Sequence, residues 1–452
     1  MLIDMLGFGL ILPLLPIYIT HYGGAPWVGG ALLASFSVMQ FIFAPIWGKL
    51  SDRVGRRPLI LLSLCGSGLS YLFFGIAPNL AALFVARVAA GILTAASMPT
   101  IQAYIADVTP PEKRAGGMAM IGAAFGLGFA FGPVIGGFMS RFSVFGLPPL
   151  ATPALFAAGL ALVNFCSALF LLPESHTDRK PSQASEKGLS DTFPALARAI
   201  KSPTFGPQLV VFAFTTFAFT AVESSFSWLS ILRFHDLLKE RALQTWQGYA
   251  HLSFAQLPPE FQKAFPANVN WNSFSGSAFA ELPKSVQQLM VEQASTHVTS
   301  SIFAIVGITI LFVQGAVMGG LARKIGEARL VKFGTLLLTI TLVGIALTPS
   351  LSFLYFLSAM IALGNGILSP SLSSLITQEA GPQDRGMISG AQHGLGSMSR
   401  VIAPPINNYL VGMSFVPLGS IPFFASSVLM GTAFFLSLRL RSAPRKAMSP
   451  PS

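Results

Sequence analysis

Long apolar stretches alternate with short polar ones along most of the chain. A helix needs about 20 residues to cross the hydrocarbon core of a membrane. Stretches of that length recur at residues 2–19, 27–48, 58–77, 80–105, 116–139, 150–172, 204–232, 298–322, 329–348, 351–377, 387–412 and 418–438. The pattern predicts an all-α membrane protein with twelve transmembrane helices.

Two longer polar stretches divide this pattern. We expect residues 1–172 to form an N-terminal six-helix bundle, residues 173–201 a linker, and residues 202–440 a C-terminal six-helix bundle. The second bundle carries an insertion at about 235–297, in which "LPKSVQQLMVEQAS" favours a short helix. Residues 441–452 form a basic tail.

The composition supports a membrane protein. Only 10% of residues are charged and 52% are hydrophobic, whereas a soluble domain has about 25% charged residues. The two cysteines, Cys65 and Cys166, both lie in apolar runs, so no disulfide framework or metal spacing is expected. No nucleotide-binding loop or catalytic triad is visible, so we expect no enzyme, no metal, no cofactor and no nucleic-acid partner.

The basic residues predict an orientation. Most of the 28 Lys and Arg residues fall in the linker, the tail and the turns on the same side as the N-terminus. Because cytoplasmic loops are enriched in Lys and Arg, we expect both termini in the cytoplasm and the insertion outside. The expected location is the inner (plasma) membrane.

The two halves share short motifs. The pattern Gly48-x-Leu50-x-x-x-Val54-Gly55 returns as Gly319-x-Leu321-x-x-x-Ile325-Gly326, and "GAAFGLG" at 122–128 returns as "GAQHGLG" at 390–396. Such agreement indicates an internal repeat. Chains built from two similar halves are typical of secondary transporters, whose substrate sites lie between the halves.

Four motifs resemble those of the major facilitator superfamily. They are Gly48–Arg57 (GKLSDRVGRR), Leu83-x-x-x-Arg87-x-x-x-Gly91, Gly128-x-x-x-Gly132-Pro133-x-x-Gly136-Gly137, and Asp4-x-x-Gly7-x-Gly9-x-x-x-Pro13-x-x-Pro16. With "AYIADVTPPEKRA" at 103–115, they look most like the bacterial tetracycline-efflux branch of drug/proton antiporters. The resemblance covers nearly the whole chain except the insertion.

The resemblance implies roles for two motifs. Gly48, Asp52, Arg53, Gly55, Arg56 and Arg57 would form a conformational latch between the bundles on the cytoplasmic side; a solvated loop that follows the positive-inside rule is the alternative. Gly128, Gly132, Pro133, Gly136 and Gly137 would be the "antiporter" motif, whose glycines pack helix against helix.

This chain departs from the family pattern in several places. Ala119 stands where a motif glycine is usual, Arg323 occupies the position equivalent to Asp52, and the insertion is atypical. In the family, a longer cytoplasmic segment precedes the aspartate of helix 1. Either the chain therefore continues upstream of Met1, or helix 1 is short.

Charged residues inside the apolar spans are the sharpest candidates for function, because charge in a membrane is costly. They are Asp4, Glu223, Arg87 and Arg400. Glu223 lies about 27 Å along its helix at 1.5 Å per residue, in the outer third. Asp4 and Glu223 are candidate proton carriers; alternatively, Glu223 forms a structural ion pair with Arg400 or Arg87.

Several polar residues in the spans are candidates for lining a substrate cavity. They are Gln40, Gln102, Tyr104, Asn365, Gln392 and His393. The many phenylalanines suit a permissive apolar pocket and lipid-facing helices equally well, so they do not identify a substrate.

We expect a monomeric secondary transporter in the lipid bilayer that exchanges protons for an amphipathic organic compound by alternating access, with the proton gradient as its energy source. The first alternative is a proton-coupled importer or uniporter for a sugar or organic anion, which Arg87 and Arg400 would bind. A further alternative is a transport-dead receptor or assembly protein. The insertion could cap the outer mouth, meet an extracytoplasmic partner, or be a tolerated addition.

Overall fold

The computed structural model describes residues 2–110, 114–140, 142–144, 146–175, 200–202, 205–249, 252–257, 259–265, 281–379, 385–413 and 419–440. In these ranges the ordered elements are helices, and no strand occurs. This confirms the predicted all-α fold.

In its described residues, the first half of the chain has eight helices. They are α1 (Leu2–Ile11), α2 (Leu15–His21), α3 (Pro26–Val54), α4 (Arg56–Gly75), α5 (Leu80–Thr94), α6 (Ser97–Val108), α7 (Arg114–Met139) and α8 (Thr152–Leu171). A 3₁₀ turn at Leu12–Leu14 separates α1 from α2. Proline cannot donate the backbone hydrogen bond that a continuing helix needs, so Pro13 and Pro16 account for this break.

Among the described residues of the second half there are nine helices. They are α9 (Gly206–Arg233), α10 (His235–Tyr249), α11 (Pro259–Ala264), α12 (Lys284–Phe312), α13 (Met318–Ile325), α14 (Glu327–Leu347), α15 (Leu351–Glu379), α16 (Arg385–Val411) and α17 (Ile421–Leu438). A π-helical turn at Val313–Val317 joins α12 to α13.

The helices match the predicted spans. In the described ranges, 10 helical segments are long and apolar enough to cross a membrane. The remaining two predicted spans correspond to α7, with 26 residues, and α16, with 27 residues. The largest difference in a boundary is at the eighth span, which was predicted to begin at residue 298, whereas α12 begins at Lys284 and runs without a break into the membrane.

Glycines let α1 and α7 touch backbone to backbone. A Cβ on Gly132 would lie 2.7 Å from the Gly9 Cα, and one on Gly136 would lie 2.7 Å from the Leu10 carbonyl oxygen. Gly128 meets Met5 in the same way. The glycines of the predicted packing motif therefore hold α7 against α1 within the first bundle. Gly137 differs, because it faces Ser300 of α12 in the second bundle.

The two bundles meet along α3 with α16 and along α7 with α12. We call the end of the molecule that carries the insertion the insertion side, and the end with the α3–α4 turn the hairpin side. Near the insertion side, Gly30 contacts Pro404 and Pro405, and Gly137 contacts Ser300. Near the hairpin side, Gly48 and Gly394 have no atom within 4 Å of an added Cβ. The close backbone contacts between the bundles at these glycines thus lie on the insertion side.

The insertion has a small hydrophobic core of its own. Its buried side chains are Ala242, Trp246, Leu257, Phe261, Phe265, Leu282, Val286 and Met290. Val286 and Met290 belong to α12, so this core rests on the same helix that crosses the membrane. The insertion also reaches the other bundle, because Glu292 Oε2 lies 3.7 Å from Nδ1 of His21 at the end of α2. Trp271, a second tryptophan of the insertion, lies outside the described residues.

We predict that Gly132→Val destabilises the protein by about 1–3 kcal/mol or more, because the new side chain overpacks the contact with Gly9. The matched control is Gly159→Val in α8, where an added Cβ meets nothing within 4 Å. The unfolding midpoint of the detergent-purified protein measures both. Equal shifts in the two variants would contradict the close approach of α1 and α7.

Candidate functional site

Glu223 lies in the contact between the two bundles. It sits in the part of α9 nearer the insertion side. Its surroundings combine both halves of the chain: Leu12, Leu15, Pro16, Ile19, Gly29 and Leu33 from the first, and Ser224, Trp228 and Asn408 from the second. We call this set of residues the seam cluster. Its side chains pack so closely that no room for a water molecule remains between them.

Apolar groups dominate the seam cluster, so a charge there is expensive. Arg400 of α16 is a charged group near enough to interact electrostatically with Glu223. The arginine is itself exposed. Among the described residues, the ion pairs closer than 4.0 Å do not include Glu223 with either Arg400 or Arg87. The predicted direct ion pair is therefore absent in this state.

Arg87 belongs to the interior of the first bundle. Its guanidinium carbon lies 5.5 Å from the ring centres of both Phe36 and Phe74, a cation–π arrangement. Only 6% of the residue is exposed, and Tyr71 is close enough to interact with its charge. The sequence predicted the depth of Arg87 along its helix, but the side chain points into its own bundle and away from Glu223.

Asp4 is buried among α1, α4 and α8. The Asn164 side chain of α8 lies beside its carboxylate, and the Tyr71 hydroxyl is 3.5 Å from its backbone oxygen. The next residue, Met5, contacts Gly128, which is about 21 Å from the start of α7 at 1.5 Å per residue. Asp4 therefore lies well inside the membrane despite its place near residue 1, and it faces the first bundle.

On the hairpin side, Glu174 caps the N-terminus of α4. Its two carboxylate oxygens accept hydrogen bonds from the backbone N–H groups of Arg56 at 2.9 Å and Arg57 at 3.2 Å. A carboxylate is favoured there by the unpaired N–H groups and by the helix dipole. Gly55, with φ of 113°, makes the turn, and Glu174 occupies the space that a Cβ at Gly55 would fill.

The two arginines extend this network. Arg56 Nη1 donates to Ser51 Oγ at 2.6 Å, and its Nε lies 3.4 Å from Asp107 Oδ2. Arg57 Nη2 donates to the backbone oxygen of Leu169 at 2.6 Å. These partners all belong to the first bundle. The contacts described here stabilise the hairpin within that bundle, and the latch between the bundles stays a prediction.

The remaining predicted residues are scattered. Arg53 is exposed, and the side chains of Asp52 and His393 lie outside the described residues. Pro133 lies inside α7. The candidates for cavity lining that are described, namely Gln40, Gln102, Tyr104, Asn365 and Gln392, are all half-buried. They occupy α3, α6, α15 and α16, and the structure does not gather them around Glu223.

Sequence reasoning missed several residues of these sites. Glu174 and Asp107 were visible as acids at the ends of apolar spans, which is where acids cap helices or meet arginines. Asn164 and Asn408 were visible as isolated amides in apolar runs. Their partners lie far away in the sequence, so the contacts themselves required the folded chain.

Two six-helix bundles that meet on the insertion side, with a half-buried carboxyl group in the contact between them, define a membrane transporter rather than an enzyme. The sequence model described as Major Facilitator Superfamily matches residues 1–257 and 271–452. The chain belongs to this family.

Known relatives and structures agree with this assignment. The chain is 28% identical to the Escherichia coli class E tetracycline resistance protein over 90% of its own length and 85% of the relative. It is 27% identical to multidrug resistance protein 2 of Bacillus subtilis (strain 168), with 91% and 87% covered. The crystal structure of the human organic anion transporter MFSD10 (TETRAN) superposes with a TM-score of 0.63 at 25% identity, covering 96% of both chains.

We predict that Gly55→Ala destabilises the protein through two separate effects. The positive φ strains an alanine by about 1–3 kcal/mol, and the new Cβ also collides with Glu174. In a Glu174→Ala background, which itself loses a helix cap of about 1 kcal/mol, the collision disappears and only the strain remains. Unfolding midpoints of the four proteins measure the coupling. An equal cost of Gly55→Ala in both backgrounds would contradict the contact.

Proposed function

We propose that the protein exchanges protons for an amphipathic organic compound, which it exports across the inner (plasma) membrane. The observation that carries this proposal is the position of Glu223 in the seam cluster. The named activities of the bacterial relatives, tetracycline and multidrug resistance, support the choice of an amphipathic substrate.

The packing around Glu223 links its protonation state to the arrangement of the two bundles. When the bundles meet on the insertion side, Glu223 is half-buried and packs against apolar side chains, with no room for a water molecule between them. A carboxyl group tolerates such surroundings best when it carries a proton. When the bundles part on that side, water reaches Glu223 and the proton exchanges. Proton binding therefore favours closure of the insertion side, which is the differential affinity that alternating access requires.

The other sites have supporting parts in this proposal. With the hairpin side in the cytoplasm, as the basic residues predict, the insertion side faces outward and Glu223 takes up its proton from outside. Asp4, within the first bundle, is a second candidate carrier. The hairpin at Gly48–Arg57 would lock the cytoplasmic side when the bundles close there, using Asp52, Arg53 and the arginines that α4 already orders.

We expect an amphipathic drug to collapse a preset pH gradient in everted vesicles that carry the native protein, and not in vesicles that carry Glu223→Gln. Glutamine keeps the shape of the protonated side chain but cannot release a proton. A fluorescent pH dye reads the gradient, and the panel includes tetracyclines, lipophilic cations, sugars and organic acids.

The matched control is Glu240→Gln, the same change at an exposed position of the insertion, which should leave the response intact. If Glu223→Gln behaves like the native protein, Glu223 is structural and Asp4→Asn becomes the next variant. If only sugars or organic acids respond, the export of amphipathic drugs is wrong.

A second candidate, transport of an organic anion, is favoured by one observation. Arg400 is exposed near the contact between the bundles, without an ion pair to Glu223 within 4.0 Å. The human structural relative named above is described as an organic anion transporter.

For this candidate we predict that Arg400→Gln abolishes binding of anionic compounds and leaves binding of cationic ones unchanged. Tryptophan fluorescence titrations of the purified protein with matched anionic and cationic dyes measure both. Equal loss for the two charges would assign Arg400 a structural role.

A further inference from the structure

We propose that Asn408 is a positioning residue that pins the two bundles together on the insertion side. It lies on α16, one turn beyond Pro404, and only 1% of it is exposed. In the amide orientation that satisfies both ends, its nitrogen donates to the Ser224 backbone oxygen at 3.0 Å, and its oxygen accepts from the Gly30 backbone N–H at 2.8 Å.

These two hydrogen bonds differ in what they join. Ser224 and Asn408 both belong to the second bundle, so the bond between α9 and α16 persists whichever way the bundles are arranged. Gly30 belongs to α3 of the first bundle, so that bond crosses the contact. It breaks when the insertion side opens.

The backbone makes this crossing bond possible. A Cβ on Gly30 would collide with the Pro404 carbonyl oxygen and lie 2.7 Å from the Pro405 Cα, so α3 and α16 touch along their main chains. Gly29 keeps the neighbouring space open, because its Cβ would lie 3.2 Å from the end of the Asn408 side chain, which in this orientation is the amide oxygen. Two consecutive glycines thus bring the Gly30 N–H within reach of a short amide side chain.

Because Asn408 is buried, its hydrogen bond to Gly30 affects which arrangement of the bundles is favoured. A buried amide that loses a partner costs free energy unless water replaces it. In the seam cluster, the Asn408 amide oxygen accepts a hydrogen bond from Gly30 when the bundles are closed. When they are open, water hydrates it instead. Asn408 also lies beside Ser224 and Glu223 in this cluster, so the pin acts where the proposed proton site is enclosed.

The test measures the balance of the two arrangements directly. Spin labels replace pairs of exposed residues in a chain whose Cys65 and Cys166 are changed to serine. The pair Trp27→Cys and Phe353→Cys spans the bundles on the insertion side, and the pair Val54→Cys and Ile325→Cys spans them on the hairpin side. Pulsed electron paramagnetic resonance gives the distance populations in each case.

We expect Asn408→Ala to raise the ratio of insertion-side-open to insertion-side-closed molecules roughly 5- to 30-fold, the effect of losing the one buried hydrogen bond that forms only when this side is closed. The hairpin-side pair should shorten in the same variant. Asn408→Leu, which keeps most of the side-chain volume, serves if the alanine variant does not fold. It should shift both pairs in the same directions.

The matched control is Asn407→Ala. Asn407 is the neighbouring buried amide, and its two polar side-chain atoms have no hydrogen-bond partner. Its removal should leave both distance distributions unchanged. Unchanged distributions in both Asn408 variants, or equal shifts for Asn407→Ala, would overturn the proposal. Because the measurement uses neither substrate nor a pH gradient, its result is independent of proton-coupled exchange.

Discussion

Contact between helix backbones at glycine is the constraint on which this molecule depends. Within the first bundle, glycines of α7 let α1 approach so closely that Asp4 is carried into the bundle interior. Between the bundles, Gly30 does the same for α3 and α16. In lipid, where apolar burial gives helices little reason to associate, such close packing supplies much of the attraction. Helices packed this closely cannot adjust by small shifts, so the two bundles are either in contact or apart.

Polar groups gain their influence from this tight fit. The seam cluster is apolar apart from a carboxyl group, an amide, a hydroxyl and an indole N–H, and it is too tightly packed for water. Each polar group placed there has a different free energy when the bundles are closed than when water enters. Few such groups are needed, because each one acts in surroundings of low polarity. The hairpin network of Arg56, Asp107 and Glu174 is different, since it lies within one bundle and moves with it.

Most of the fold was predictable from the sequence, because length and hydropathy decide which segments cross a membrane. The helical spans, the two-bundle architecture and the family follow from such local patterns. Contacts between side chains do not. The distance of Arg87 along its helix could be counted, but its direction depends on how α5 is rotated against α3 and α4, which places it between Phe36 and Phe74. The start of α12 was also missed, because its first three turns are polar and read as part of the insertion.

The way the insertion is attached has a practical consequence. α12 runs as one helix from the insertion core into the membrane, and α10 follows α9 after a single residue, Phe234. Helices therefore join the insertion to the second bundle at both of its ends, and Glu292 lies against the first bundle at His21. A transporter of this size otherwise offers little ordered mass outside the detergent micelle. An antibody fragment raised against the edge where the insertion meets α2 would bind one arrangement of the bundles, and would also supply the landmark that electron cryo-microscopy needs to align particles.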